Sequence, residues 1–144
     1  MNIDFNDFET NILNYIKNNY PSYIREGLKS PTKYINDFLD FDIYKDSVML
    51  FIELPNYNFN GLSNDSENQN AVLKIYLVNR NGKSSELKTN ILKYATDFYK
   101  FFEGTSNNFG GLIDYGKIKN LSFFDAVEGN TSIKLAEIEI DMNI

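Results

Sequence analysis

The chain has no histidine, no cysteine and no tryptophan, and only three prolines in 144 residues. Ser-His and Cys-His nucleophilic catalysis, zinc sites of the usual His/Cys kind and thiol redox chemistry all need side chains that are missing. Carboxylate and lysine chemistry remain open. No apolar run approaches the roughly 20 residues of a transmembrane helix, and the N-terminal stretch MNIDFNDFET is acidic where a signal peptide is basic and then apolar. Cytoplasmic synthesis without export, and no membrane partner, are expected. Arginine is scarce too: Arg25 and Arg80 are the only two, and the net charge is −6. The lysines, such as Lys29, Lys33, Lys117 and Lys119, are scattered among acids. That distribution argues against sequence-specific nucleic-acid binding, which uses clustered cations to neutralise phosphates.

What is present suffices for a core. Hydrophobic residues make up 42% of the chain and aromatics 15%, and a chain of this length buries roughly two-thirds of its unfolded surface on folding. One domain spanning 1–144 is expected. Phe8, Ile12, Ile16 and Tyr20 recur every four residues, predicting a helix over 7–19 with Asn6 as N-cap and Pro21 as terminator. Ser30-Pro31 has the form of a second helix start, carrying Tyr34, Ile35, Phe38 and Leu39. SVMLFIEL (47–54), closed by Pro55, reads as a buried strand. A second strand covers 71–78, with Leu73, Ile75 and Leu77 on one face, and Asn81-Gly82 turns the chain.

The stripe Leu87, Ile91, Tyr94, Ala95, Phe98 and Phe102 predicts a helix over 85–103, capped by Ser84 and ended by Gly104. Strands over 115–125 and 131–142 close the chain as a hairpin through Glu128-Gly129-Asn130. In the last strand Ala136, Ile138, Ile140 and Met142 alternate with Glu137, Glu139 and Asp141. The expected fold is α+β, in the order α-α-β-β-α-β-β, with a mostly antiparallel or mixed four-stranded sheet packed against an N-terminal and a central helix. Residues 55–70 and 105–111 are expected to be irregular.

Candidate sites are few. Asn56, Asn58, Asn60, Gly61 and Glu67 match the spacing of a calcium loop, but the first position lacks its Asp and the flanking helices are missing, so no metal is assigned. Asp37, Asp40 and Asp42 form the densest acid cluster outside the strands, which reads as solvated or capping acids. No P-loop, GxSxG elbow or GxGxxG turn is present. No catalytic residue, cofactor or metal ligand is therefore expected. Tyr99 and Phe101 fall off the apolar stripe of their helix, which marks them as candidate interface residues.

The N-terminal helix ending near Tyr20, the strands VMLFIEL and AVLKIYLV, the helix LKTNILKYATDFYKFF and the hairpin LSFFDAVEGNTSIKLAEIEIDMNI together resemble the tail terminator (tail-completion) proteins of phages and phage-tail-like particles. The resemblance covers most of the chain and is one of architecture. It implies a non-enzymatic subunit of a homo-oligomeric ring, typically a hexamer, that caps the tail tube, meets neck proteins and is incorporated in a virion or tail-like particle. In such a ring Glu137, Glu139 and Asp141 are candidates to face the channel and repel passing DNA; the plainer reading has them solvating an outer sheet face or guarding an edge. Two other functions stay open: a monomeric peptide- or ligand-binding module using the helix-sheet groove, and a carboxylate-dependent hydrolase.

Overall fold

The computed structural model describes residues 3–37, 40–41, 43–63, 66–127 and 130–144. The fold is α+β, with helices α1 (Phe5–Asn19) and α2 (Ser84–Gly104) on one face of a five-stranded mixed sheet. Its strands are β1 (Lys33–Asn36), β2 (Val48–Ser63), β3 (Ser66–Arg80), β4 (Tyr115–Val127) and β5 (Asn130–Asn143). They lie in the order β1-β2-β3-β5-β4, with β1 parallel to β2 and every other pair antiparallel. The sheet thus has one strand more than expected, and the predicted order of elements is corrected.

The extra strand stands where Ser30-Pro31 suggested a helix. Thr32 donates its backbone N–H to the Val48 carbonyl at 3.0 Å, and β1 continues in register from Lys33↔Met49 to Asn36↔Ile52. Tyr34 then packs on the helix-side core and Ile35 on the opposite face, a strand's alternation that a helix would abolish. The local capping signal is outweighed by pairing with β2, which only the tertiary fold supplies. Phe38 and Leu39 lie outside the described residues.

The described parts of the stretch 55–70, residues 55–63 and 66–70, are likewise strand rather than loop, and 64–65 lie outside the described residues. β2 runs on through Pro55 by a register shift between Glu53 and Asn56, and pairs with β3 as far as Ser63↔Ser66. Pro55 is tolerated because β1 has already ended opposite Ile52, so nothing there needs its missing N–H. Pairing of β3 with β5 ends at Asn70↔Asn143, so the hairpin beyond is a two-stranded ribbon extending past the sheet. Phe5, at the start of α1, braces its base with ring centroids 4.5 Å from Tyr57 and 6.0 Å from Phe59.

Both helices start one or more residues away from the predicted caps. Asp4, rather than Asn6, caps α1 by accepting the Asp7 backbone N–H at 3.0 Å. Lys83 takes the cap position of α2, and Ser84 is its first helical residue. The apolar stripes are as expected: Phe8, Ile12 and Ile16 of α1 and Leu87, Ile91, Tyr94, Ala95, Phe98 and Phe102 of α2 are buried. They cover Leu50, Ile52, Leu73, Ile75, Leu77, Ala136, Ile138 and Ile140 of the sheet. Ile138, Ile140 and Met142 are buried on one face as the predicted alternation requires, whereas Glu137, Glu139 and Asp141 on the far face are half-buried rather than exposed.

One end of that far face has a core of its own. Met49, Phe51, Val78, Ile133 and Leu135 are buried there beneath Phe41 and Tyr44. Tyr44 meets Phe51 edge-on at 5.8 Å, and Arg80 donates to the Phe41 and Tyr44 carbonyls at 3.3 and 3.2 Å. This two-sided burial explains why SVMLFIEL is apolar without alternation.

An ion pair between the buried carboxylate of Asp97 and the partly exposed Arg25 joins α2 to the segment after α1. Asp97 accepts from the Arg25 backbone N–H at 3.0 Å and from its guanidinium at 2.8 Å. Burial pushes the Asp97 carboxyl up, but the hydrogen bonds and charge of Arg25 outweigh it and hold the carboxyl below its ordinary value of 3.8. A depressed folded-state pKa stabilises above the unfolded value and is lost as pH falls through the folded one. In urea titrations the wild type should therefore exceed Asp97→Asn in stability by a constant margin above about pH 4, a margin that shrinks on further acidification. A margin unchanged down to pH 2 would assign the difference to packing.

Candidate functional site at the β4 edge

β4 is a 13-residue strand at the edge of the sheet, bonded to β5 on one side only. Its register puts Leu121 opposite Ile138 and Phe123 opposite Ala136 on the helix side, with Phe124 opposite Leu135 on the other. The strand partners are buried, yet Leu121, Phe123 and Phe124 remain 40%, 42% and 45% exposed because they belong to neither core cluster, the one under the helices or the one under Phe41 and Tyr44. Long edges of this kind are normally blunted by charge, proline or a covering element. Here the shifts at Ile118/Asn120 and Asp125/Val127 bound the segment without covering it, so an open row of backbone donors and acceptors carries apolar side chains on both faces. Such an edge can accept an added strand, with main-chain bonds giving affinity and the side chains specificity.

Sequence reasoning read LSFF as a strand but assigned no site to it. The available signal was the adjacent Phe123 and Phe124, which point to opposite faces and so cannot both be buried by a sheet covered on one side. Of the predicted interface pair, Tyr99 is exposed on the solvent side of α2 together with Leu92. Phe101 is fully buried and is corrected to a core residue. Its ring lies between 5.3 and 6.4 Å from those of Tyr15, Tyr20, Tyr23, Phe98 and Phe109. The chain following each helix folds back as short 3-10 turns, Tyr20–Tyr23 and Phe109–Gly111, and these cover a flank of α2 that the sheet leaves open.

Glu137, Glu139 and Asp141 do lie together on the outer face of β5. β5 is an interior strand, so guarding an edge is not their role. Cations interrupt the row: Lys74 is 3.5 Å from Glu137 and Lys119 is 3.0 Å from Asp141. Burial, followed by the charges of Glu137 and Glu53, pushes the Tyr76 phenol up to about 12.

The acid cluster does not converge. Asp40 turns its own loop by accepting from the Ile43 backbone N–H at 3.1 Å, Asp37 lines a small cleft with Glu9 and Glu53, and Asp42 lies outside the described residues. Among the described residues no group of three or more acids is placed to hold a metal ion. The calcium-loop spacing falls on the paired strands β2 and β3, whose extended backbone cannot wrap an ion. Among the described residues no helix is long and apolar enough to cross a membrane. The space between α2 and the sheet is filled by Ile91, Tyr94 and Phe98, leaving a cleft of about 240 Å³ near Leu87 and Asn90. Comparison with known proteins found no family model and no curated protein that matches this chain.

Proposed function

We propose that the protein is a non-enzymatic assembly subunit whose copies associate through the β4 edge. The exposed Leu121, Phe123 and Phe124 on an uncovered strand carry this reading, since apolar surface beside unpaired backbone is stabilised by a neighbouring chain. The resemblance to tail terminators gives the reading its form: a homo-oligomeric ring, hexameric in the usual case, capping a tail tube and meeting neck proteins. The protein is then made in the cytoplasm and incorporated in a virion or phage-tail-like particle. The solvent-facing Leu92 and Tyr99 of α2 offer a second contact, which a ring of head-to-tail neighbours requires. The acid row on β5 lines the channel if the outer sheet face turns inward. The interleaved lysines make that lining mixed in charge, which favours an outward-facing role.

Sedimentation velocity over a wide concentration range tests the proposal. The wild type should sediment as more than one copy at high concentration. The double substitution Phe123→Lys with Phe124→Lys should weaken association at least tenfold or so without lowering the melting temperature, because both side chains are already half exposed. Each copy carries −6, so added salt should tighten the association. A strict monomer throughout would overturn self-assembly and favour the ligand-binding alternative.

A further inference from the structure

We infer that the uncovered end of the outer sheet face, away from the β4 apolar edge, is a carbohydrate-binding surface. The second apolar cluster covers only one end of that face. At the other end an open concavity of about 450 Å³ lies across the strands, at the base of the β2–β3 ribbon. Register fixes its floor: Asn58 pairs with Asn70, Asn70 with Asn143, and Asn143 with Tyr115, so one row of side chains crosses β2, β3, β5 and β4. The adjacent row holds Val72, Asp141 and Lys117, which pair in the same order.

Neighbouring strands are about 4.8 Å apart, so the row presents three carboxamides at a spacing close to that of successive sugar units. Each amide offers two donors and an acceptor with two lone pairs, the mixed pattern that vicinal hydroxyls satisfy. Among the described residues these amides make no side-chain hydrogen bond, although Asn70 and Asn143 are half-buried. No described side chain satisfies them, so a hydroxyl-rich ligand gains bonds there without breaking internal ones.

Tyr115 closes the row. It is 56% exposed, and its ring can take the apolar C–H face of a pyranose, the part of a sugar that amides cannot recognise. The charges beyond the row are unequal. Lys119 is bound to Asp141 at 3.0 Å, whereas Lys117 makes no ion pair among the described residues. That surplus cation next to neutral amides favours a sugar chain bearing a carboxylate, as in a uronic acid, over a wholly neutral one. Nucleic acid fits less well, because a single unpaired ammonium is little to set against a run of phosphates.

The 144-residue chain can be titrated with oligogalacturonate and with neutral cello-, chito- and malto-oligosaccharides while the amide and side-chain resonances of Asn70, Asn143 and Tyr115 are followed. Oligogalacturonate should shift all three, and more tightly than any neutral probe. Tyr115→Ala should weaken every binding probe at least tenfold or so, with unchanged thermal unfolding because the ring is mostly exposed. Lys117→Gln should remove only the preference for the acidic chain. If no probe moves these resonances, the inference fails. It fails equally if oligogalacturonate binds but Tyr115→Ala leaves its affinity unchanged, which is the behaviour of diffuse attraction to lysines. A monomeric protein that still binds the sugar would overturn the assembly proposal and leave this one standing.

Discussion

Substituting Ile140→Asp should unfold the protein or lower its stability by about 4 kcal/mol or more. Ile140 is fully buried in β5, between Leu73 of β3 and Ile118 of β4 on the face covered by α2. A carboxylate there has no cation within reach among the described residues, because the lysines flanking β5, Lys74 and Lys119, bond to acids on the opposite face. The group must either lose its hydration while charged or take up a proton, and both are unfavourable. The site also has no slack. A side chain built on the neighbouring Gly116 would place its Cβ 3.1 Å from the Ile140 Cγ2 and 2.8 Å from the Phe102 ring. Urea denaturation followed by far-UV circular dichroism is the measurement, with Glu139→Gln, one position along on the outer face, as the control expected to stay within about 0.5 kcal/mol. Equal midpoints for Ile140→Asp and the wild type would mean that the register of β5 is wrong.

Phe101→Ala should cost about 3 to 5 kcal/mol, a fall in melting temperature of roughly 10 to 17 °C. The ring is the hub through which α1, α2 and both 3-10 turns meet, and the aromatic neighbours around it cannot close the cavity without leaving their own contacts. Truncation therefore loses both the transfer energy of the ring and the contacts of the surrounding rings. Tyr99→Ala, two positions earlier and exposed, should leave stability nearly unchanged. Differential scanning calorimetry of the two variants separates a core residue from a surface one. A Phe101→Ala protein that melts like the wild type but associates less would restore the interface role that helical phase alone suggested.

Periodicity in the sequence determined α1, α2 and the register of β5, because a repeat of 3.6 or 2 reports directly which side of an element is apolar. Phe8 to Tyr20, Leu87 to Phe102 and Ile138 to Met142 needed nothing from the rest of the chain. The missing histidine and cysteine bounded the chemistry in the same self-contained way. β1 was hidden, since Ser30-Pro31 is a good local helix start and its four strand residues become a strand only when β2 is there to accept their hydrogen bonds. The β2–β3 ribbon was hidden because strand signals come from aliphatic side chains, and a two-stranded extension held by backbone pairing has little use for them.

The candidate sites were the least legible part. Phe101 lies off the sheet-facing stripe of α2 and is buried all the same, because periodicity shows where apolar residues point but not that two later turns fold back over them. Leu121, Phe123 and Phe124 read as strand, and only the strand order makes them an uncovered edge. Asn58, Asn70, Asn143 and Tyr115 are spread over most of the chain, and it is the antiparallel register of four strands that brings them into one row. Local sequence settled which residues are apolar and how each element is phased, since both follow from short-range stereochemistry; what covers each face, and which distant side chains meet, depends on long-range pairing that no local pattern contains.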